Sequence, residues 1–414
     1  MGQLGQQLEE LEQLERLGPI QRLLVMRRTA PIPDQIELLI VQPTRFCNID
    51  CTYCYLPDRN RKGVMTREVL SATAARLAES GHLGEEVTIV WHSGEPMTVD
   101  VNFYRYAFEE FCAAVGEKSH LRFVMQTNGT RVDDAWIKFF LETGHKVGVS
   151  LDGPAWIHDK NRITRRGNGT HSKVESATRA LLEAGADTYV ICVITRETLP
   201  YATEIYDYFK ALSITNVGFN VEEAEGSNRS RSLSDQDLTA ELRAFFDQLF
   251  ECWLNDKKRI HIREFSGLLG AIAEPSFLAR PQEASAMKIV SVNIDGDFST
   301  FSPELCGFKV GADRFLFGNV QSSSFDQMLK NKLLRAVEQE IDQGIANCAR
   351  ECGYFSFCGG GTPSNKFFEL GNFSGTETSH CRNSKKVIIE SVISSLERRL
   401  VERIKSGGAS GDAN

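Results

Sequence analysis

The segment CNIDCTYCYLPD carries three cysteines, Cys47, Cys51 and Cys54. Clustered thiolates bind zinc or iron–sulfur clusters, and a structural zinc site is normally closed by four protein ligands. No fourth cysteine or histidine follows close behind these three. A 4Fe–4S cluster held by three cysteines instead leaves one iron open to a small molecule. The spacing therefore favours an iron–sulfur site with a free coordination position.

A second group of cysteines lies near the other end of the chain, in NCARECGYFSFCGGG and ETSHC. Its members are Cys348, Cys352, Cys358 and Cys381. Four thiols suit either one closed 4Fe–4S cluster or one zinc ion. The remaining cysteines are isolated in sequence, and we interpret them as small buried side chains. They are Cys112, Cys192, Cys252 and Cys306.

Composition limits the classes of partner. The formal net charge of the 414 residues is -8 and the basic residues are dispersed, so no nucleic-acid partner is expected. The longest apolar runs, such as 189–194, are too short to span a bilayer, so no membrane partner is expected either. These features predict a cytoplasmic protein, where metal ligation explains clustered cysteines better than disulfides do.

Six short apolar runs alternate with helix-length amphipathic segments. The runs are ELLIVQPT, VTIVWHSGEP, RFVMQTNG, KVGVSLDG, TYVICVIT and NVGFNVEE, and the segments lie near 66–80, 101–115, 133–143, 171–185 and 199–212. This alternation is typical of repeated βα units that form a parallel sheet, curled into a full or partial barrel. Chemistry in such barrels sits at the carboxyl ends of strands, where SGEP, TNG and SLDG fall.

The three-cysteine spacing CxxxCxxC resembles the signature of the radical SAM superfamily. The resemblance implies an α/β fold, a partial (β/α)6 TIM-like barrel, and a 4Fe–4S cluster whose open iron binds S-adenosylmethionine (SAM). Cleavage of SAM then yields a 5'-deoxyadenosyl radical that takes hydrogen from an unactivated C–H bond. An external electron donor such as flavodoxin or ferredoxin is implied as a partner.

The same resemblance implies which strand-end residues contact SAM. Ser93, Gly94 and Glu95 in WHSGEP match the family's glycine-glycine-glutamate element, with Ser93 in place of the first glycine. Tyr53 occupies the aromatic position near adenine, and Arg162 is a carboxylate partner. The implied set is Tyr53, Ser93, Gly94, Glu95, Gln126, Asn128, Ser150, Asp152 and Arg162.

The second cysteine group resembles the SPASM extension of radical SAM enzymes that modify peptides and proteins. Members of that group usually carry two auxiliary clusters. Here Phe301 and Thr362 stand at two ligand positions of the first, and no cysteine lies between Asp256 and Gly296 to supply its remaining ligand. The resemblance therefore implies one auxiliary 4Fe–4S cluster, held by the four cysteines named above. Its role, structural or electron-transferring, stays open.

Longer phrases, among them QPTRFCNIDCTYCYLPDR and CGYFSFCGGGTPSNKFFE, resemble cyclophane-forming radical SAM/SPASM maturases of the GrrM/OscB type. That resemblance implies a ribosomal, glycine-rich precursor peptide with aromatic residues, crosslinked between an aromatic ring carbon and a β-carbon. The base position of related enzymes is Ser302, so the candidate bases are Glu304 first, then Asp295 and Asp297. Glu222 and Glu223 also fall near the substrate.

Two alternatives to a crosslinking maturase remain. One is a sulfatase-maturing radical SAM enzyme that makes formylglycine, against which the missing first auxiliary cluster and its acid argue. The other is a non-catalytic, zinc-stabilised peptide-binding protein.

The sequence after residue 285 is rich in glycine and carries cysteines, which predicts a small domain held together by metal. The predicted divisions are a helical extension at 1–36, the barrel at 37–232, a helical linker at 233–284, the SPASM-like domain at 285–383, a C-terminal helix at 384–406 and a disordered tail at 407–414.

Overall fold

A computed structural model describes residues 35–408 apart from 229, 231, 234–237, 274–279 and 311–312. Six parallel strands form the barrel sheet in chain order: β1 (Ile36–Val41), β2 (Leu83–Trp91), β3 (His120–Thr127), β4 (Lys146–Ser150), β5 (Thr188–Ile194) and β6 (Asn216–Val221). The connecting helices are α1 (Arg67–Glu79), α2 (Val101–Val115), α3 (Asp134–Thr143), α4 (Ala155–Asn161), α5 (His171–Glu183) and α6 (Ala202–Ala211). The predicted α/β partial barrel is confirmed.

Side-chain caps begin several of these helices. The Thr66 hydroxyl accepts from the backbone of Val69 at the start of α1. Asp100 and Asp133 cap α2 and α3 in the same way. Such caps satisfy amide groups that have no partner inside the helix. The boundaries of these helices therefore follow from local sequence.

The sheet continues beyond both ends of the six-stranded unit. The added strands are β7 (His261–Ile262), β8 (Ile289–Val292), β9 (Asp297–Thr300) and β12 (Gly318–Asn319), while β10 (Lys309–Val310) and β11 (Asp313–Arg314) form a separate pair. β7 pairs with β6, and β8 runs parallel to β1 on the side away from β2. The sheet thus crosses the predicted boundary at residue 285, and the predicted divisions remain predictions.

Helices complete the C-terminal region. They are α7 (Thr239–Asn255), α8 (Arg263–Ala273), α9 (Lys332–Glu351), α10 (Phe355–Cys358), α11 (Pro363–Leu370) and α12 (Val387–Gly408). One π-helical turn, Cys381–Lys386, precedes α12, which packs against α7. The predicted N-terminal extension lies almost wholly outside the described residues, as does most of the predicted tail.

The main core lies between the sheet and the helices that cover it. Trp91 at the end of β2 packs edge-on against Tyr104 and Phe111 of α2, with ring centroids 5.1 and 6.1 Å apart. All three side chains are fully buried. Burial of these aromatic rings fixes α2 against the strand that leads into the WHSGEP segment.

Among the described helices, none is both long and apolar enough to cross a membrane.

Candidate active site

The three-cysteine loop follows β1 and is fastened to the loop after α4. The backbone amide of Asp50 donates to Ile163 at 2.7 Å, and that of Thr52 donates to Asn161 at 3.1 Å. The guanidinium of Arg165 donates to the Cys47 carbonyl through Nε at 2.9 Å and Nη2 at 2.6 Å. The loop is therefore held in place by backbone hydrogen bonds to residues 161–163 and by the side chain of Arg165.

Cys47 is buried in this loop, and Cys51 and Cys54 are half-buried. Burial raises the pKa of Cys47 to about 12 and that of Cys51 to about 11. Asn128 Nδ2 lies 3.7 Å from Cys47 Sγ. Soft sulfur donors in a buried loop fit an iron–sulfur cluster, whose binding displaces thiol protons. The three residues present thus fit the implied cluster.

The SGE segment forms a tight turn against this loop. Ser93 and Gly94 both have positive φ, 76° and 56°. A Cβ at Gly94 would lie 2.6 Å from the Phe46 carbonyl oxygen and 2.8 Å from that of Thr44. The backbone of Glu95 also donates to the Phe46 carbonyl at 2.8 Å. A glycine is required at position 94 because the chain leading to Cys47 passes directly over it.

Glu95 is a buried carboxylate with three hydrogen-bond donors. They are the backbone amides of Met97 at 2.9 Å and Asn128 at 2.7 Å, and the Thr127 hydroxyl at 2.7 Å. Burial raises the pKa of Glu95, while these donors oppose the shift. The carboxylate therefore ties the end of β2 to the end of β3, beside the position that the resemblance assigns to the methionine ammonium of SAM.

Asp152, after β4, is held by a fork of hydrogen bonds. Arg162 Nε and Nη2 lie 3.0 Å from its two carboxylate oxygens. The Tyr53 hydroxyl donates to it at 2.5 Å, and the backbone of Val193 donates at 2.9 Å. The Arg162 guanidinium also lies over the Tyr53 ring, 5.3 Å from its centroid. This network fixes the aromatic ring that lies between the second and third cysteines of the loop.

Gln126 and Ser150 meet at the ends of β3 and β4. Gln126 Nε2 donates to the Ser150 hydroxyl at 3.3 Å, and the Tyr189 hydroxyl donates to Gln126 Oε1 at 3.2 Å. With these two, the structure places all nine predicted SAM contacts along one rim of the barrel. Their individual roles toward SAM stay predictions.

The second cysteine group surrounds a cavity of about 240 Å³. Its thiols come from α9, the α9–α10 junction, the end of α10 and the π-helical turn, and they are Cys348, Cys352, Cys358 and Cys381. In a zinc site the sulfurs converge to about 2.3 Å from one ion. Among the described residues, no three His, Cys, Asp or Glu side chains converge in that way. Four thiols that line one cavity fit the implied auxiliary 4Fe–4S cluster.

A cluster of carboxylates lies between the barrel and the C-terminal region. Glu304 accepts from the Ser302 and Tyr55 hydroxyls, and burial raises its pKa. Glu225 is 4% exposed, and burial followed by the charges of Glu223 and Glu304 holds its pKa well above the ordinary value. We call Glu223, Glu225 and Glu304 the carboxylate cluster. Tyr55, which directly follows the third loop cysteine, connects it to the first site.

The other candidate bases have different surroundings. Asp295 is half exposed and forms a 3.0 Å ion pair with Arg45. Asp297 accepts from Asn319 at 2.9 Å. Glu222 accepts from Asn228 at 3.0 Å and holds the loop after β6. The structure thus brings Glu304 and Glu223 together and leaves these three carboxylates outside the cluster.

Several residues near the two sites were missed by sequence reasoning. Glu225 follows β6 in EEAEG, where an acidic run at a strand end was the available signal. His92 Nε2 lies 3.4 Å from the Tyr55 hydroxyl, and burial lowers the pKa of His92 to about 4. Asn365 and Lys366 follow the CGGG segment without any motif of their own. Their positions depend on how α11 packs.

The comparisons with known proteins agree with this geometry. The family model of the radical SAM superfamily matches residues 41–209. A cysteine-type anaerobic sulfatase-maturating enzyme of Clostridium perfringens is 30% identical over 340 residues, covering 79% of this chain and 88% of that protein. Protein sll1766 of Synechocystis sp., which is uncharacterized, is 36% identical over 393 residues, covering 91% of this chain and 98% of that protein.

Solved structures show the same fold. Native anSMEcpe with bound AdoMet has a TM-score of 0.74 at 24% identity, covering 87% of this chain and 98% of that chain. Streptococcus suis SuiB bound to precursor peptide SuiA has a TM-score of 0.63 at 14% identity, covering 87% of this chain and 79% of that chain. The chain belongs to the radical SAM superfamily, among relatives that include anaerobic sulfatase-maturating enzymes. It is a radical SAM enzyme whose cofactors are SAM, a radical SAM 4Fe–4S cluster and an auxiliary 4Fe–4S cluster.

The predicted cyclophane crosslinking reaction is wrong. The named relatives that match most of the chain are sulfatase-maturating enzymes, both cysteine-type and serine-type. The phrases that suggested a crosslinking maturase surround the cluster cysteines and the CGGG segment. These segments bind cofactors that many radical SAM reactions share, so they carry little information about the substrate.

Proposed function

We propose that this enzyme oxidises a cysteine or serine side chain in a peptide or protein substrate to formylglycine, as the names of its sulfatase-maturating relatives suggest. The observation that carries the proposal is the position of Glu304. This half-buried carboxylate accepts a hydrogen bond from Tyr55, which directly follows the third cysteine of the radical SAM cluster loop. Related enzymes carry an acidic residue at the position of Ser302, and its absence argued against this reaction. We propose that Glu304, two residues further on, takes its place.

The reaction needs a hydrogen acceptor, an electron acceptor and a base. When bound, SAM and the clusters supply the 5'-deoxyadenosyl radical and an acceptor for one electron. The substrate β-carbon loses one hydrogen atom, and the resulting radical then loses one electron and the proton of its hydroxyl or thiol group. Serine gives the aldehyde directly. Cysteine gives a thioaldehyde, which water converts to the aldehyde with release of hydrogen sulfide.

Glu304 is the proposed base for the proton. Its raised pKa favours accepting a proton from the substrate hydroxyl or thiol. The hydroxyls of Ser302 and Tyr55 donate to it and therefore orient its carboxylate. Glu225 and Glu223 lie beyond it and share a hydrogen bond, which gives the proton a route from Glu304 through buried Glu225 to the partly exposed Glu223.

The external electron donor, a flavodoxin or ferredoxin, is proposed to approach the loop of the radical SAM cluster from outside. An open cleft of about 670 Å³ lies beside this loop, with Arg59, Arg61 and Arg165 in its wall. Arg59 and Arg165 contact the carbonyls of Cys51 and Cys47. Two aspartates, Asp50 and Asp58, also line the cleft, but the arginines outnumber them, which suits an acidic redox protein of the cytoplasm.

The test is anaerobic incubation of the reconstituted enzyme with SAM, a reductant and matched peptides that carry cysteine, serine or alanine at one position. Mass spectrometry should show loss of two hydrogens from the serine peptide and replacement of CH–SH by C=O in the cysteine peptide. 5'-Deoxyadenosine should appear in step with product. The alanine peptide is the matched control and should stay unchanged.

A different result would reject the proposal. The incubation is repeated with peptides whose target residue is flanked by sulfatase sequences. If 5'-deoxyadenosine forms but every peptide is recovered unmodified, this substrate class is excluded. A carbon–carbon crosslink would assign a different reaction to the same radical.

A further inference from the structure

Lys366 places a buried positive charge at the auxiliary site. The residue lies in α11 and is 3% exposed. Its Nζ donates to Cys348 Sγ at 3.6 Å, and the side chain lines the cavity that the four cysteines surround. Lysine is seldom fully buried unless it is paired with a negative group. A cysteine that ligates an iron–sulfur cluster does so as a thiolate, so Cys348 can provide this negative group when the cluster is bound.

Helix α9 leaves room for the ammonium. Gly344 lies one helical turn before Cys348, on the same side of α9. A Cβ at Gly344 would lie 3.0 Å from Lys366 Nζ and 2.5 Å from the Phe373 carbonyl oxygen. The ammonium therefore packs directly against the helix backbone. Its position is set by close contacts on two sides, unlike that of a solvated lysine.

The other charged side chains around the cavity have partners of their own or face water. Lys386 is paired with Glu377, and Glu351 is paired with Arg350. Lys385 is exposed. Lys366 is thus the buried lysine whose hydrogen bond in this structure goes to a cluster ligand.

We propose that Lys366 is a positioning residue that raises the reduction potential of the auxiliary cluster. Reduction adds one negative charge to the site, and an ammonium in a low-dielectric cavity stabilises that charge. The auxiliary cluster then takes an electron more readily, which suits an electron-accepting role over a purely structural one. The inference depends on the auxiliary cluster and not on the identity of the substrate, so it can fail independently of the proposed function.

The experiment is a redox titration of the full-length holoenzyme with dithionite, followed by EPR spectroscopy. The Cys47→Ala/Cys51→Ala/Cys54→Ala variant identifies the signal of the auxiliary cluster. Lys366→Met and Lys366→Gln remove the charge, and Lys366→Arg keeps it. Lys385→Met is the matched control, since it removes an exposed lysine from the edge of the same cavity. Iron content is measured for each protein.

We expect the two neutral variants to lower the reduction equilibrium constant at least tenfold, which is about 59 mV for one electron. Lys366→Arg and Lys385→Met should each stay within about threefold of the wild type. A neutral variant that matches the wild type with full iron content would overturn the proposal. So would an equal shift in Lys366→Arg, or loss of the cluster from both neutral variants, since Lys366 would then act through packing.

Discussion

Asn365 Nδ2 lies 3.0 Å from Glu225 Oε1, a contact that joins residues 140 positions apart in sequence. The same amide nitrogen donates to Glu223 Oε2 at 2.7 Å. From α11, which follows the CGGG segment, Asn365 thus holds two neighbouring carboxylates. Through this contact the C-terminal region helps to shape the carboxylate cluster at the end of β6.

Replacing this amide should destabilise the protein. We expect Asn365→Ala to lower the free energy of unfolding by about 1–3 kcal/mol, because buried carboxylate oxygens lose their donor. Asn365→Asp should lower it further, since it adds a like charge. Urea unfolding measures both. Equal stability of the three proteins would show that the amide does not hold the cluster together.

Glu304→Gln tests the proposed base. The amide keeps the size of the side chain but cannot take the proton, so product formation should fall roughly 100- to 10,000-fold. Formation of 5'-deoxyadenosine should continue, because SAM cleavage precedes the proton transfer. Asp295→Asn is the matched control, because Asp295 is half exposed and lies outside the carboxylate cluster. Full activity of Glu304→Gln would assign the base to another residue.

Gly94→Ala should weaken the radical SAM cluster site. The added Cβ would approach the Phe46 carbonyl oxygen to 2.6 Å and displace the chain that leads to Cys47. After reconstitution, iron per chain should fall by roughly half, since one of two 4Fe–4S clusters is affected.

Gly116→Ala is the control for backbone strain. Its φ of 57° is nearly that of Gly94, but nothing lies within 4 Å of an added Cβ. It should keep full iron content while losing about 1–3 kcal/mol of stability, because alanine is strained in this backbone conformation. Similar iron loss in both variants would show that strain, and not the contact with Phe46, is responsible.

Arg162→Lys should reveal the importance of the paired hydrogen bonds to Asp152. Lysine keeps the charge but loses the planar fork, so we expect a loss of about 2 kcal/mol in stability and weaker SAM binding. Arg179→Lys is matched, because Arg179 also donates through two nitrogens, to Glu175, but on an exposed helix surface. It should change stability by about 0.5 kcal/mol or less. Thermal unfolding and SAM titration distinguish the two sites.

His145 should make stability depend on pH. It accepts from Trp91 Nε1 at 3.2 Å among buried aromatic rings, and burial lowers its pKa to about 3 from 6.5. Between these values the unfolded chain binds a proton that the folded chain does not, so stability rises with pH across this window. Each unit of pKa difference between the folded and the unfolded chain changes the free energy of unfolding by about 1.4 kcal/mol.

His145→Gln removes the titrating group while keeping a hydrogen-bond acceptor. Urea unfolding at several pH values from 4 to 6.5 should give a shallower slope for this variant than for the wild type. His120→Gln, on an exposed position of β3, is the control and should keep the wild-type slope. An unchanged slope in His145→Gln would mean that other groups control the acid sensitivity.

The sequence by itself determined the barrel and both cysteine groups. Alternating apolar runs and helix-length segments predict parallel strands, and the chemistry of clustered thiols is readable from spacing alone. Ser93, Gly94 and Glu95 were predicted as SAM contacts because WHSGEP, at a strand end, resembles the family's glycine-glycine-glutamate element, and that role stays a prediction. These features are local, since each depends on residues that are close together in the chain.

Only the tertiary structure decided which carboxylates meet and which lysine faces the auxiliary site. Glu225, Glu304 and Asn365 come from three distant segments, and Lys366 contacts Cys348 only because α11 packs beside α9. The pairing of β8 with β1 also escaped prediction, since a short strand finds its partner through packing and not through its own pattern. Burial then converts ordinary side chains into a base and a countercharge, because removal from water strengthens each electrostatic contact.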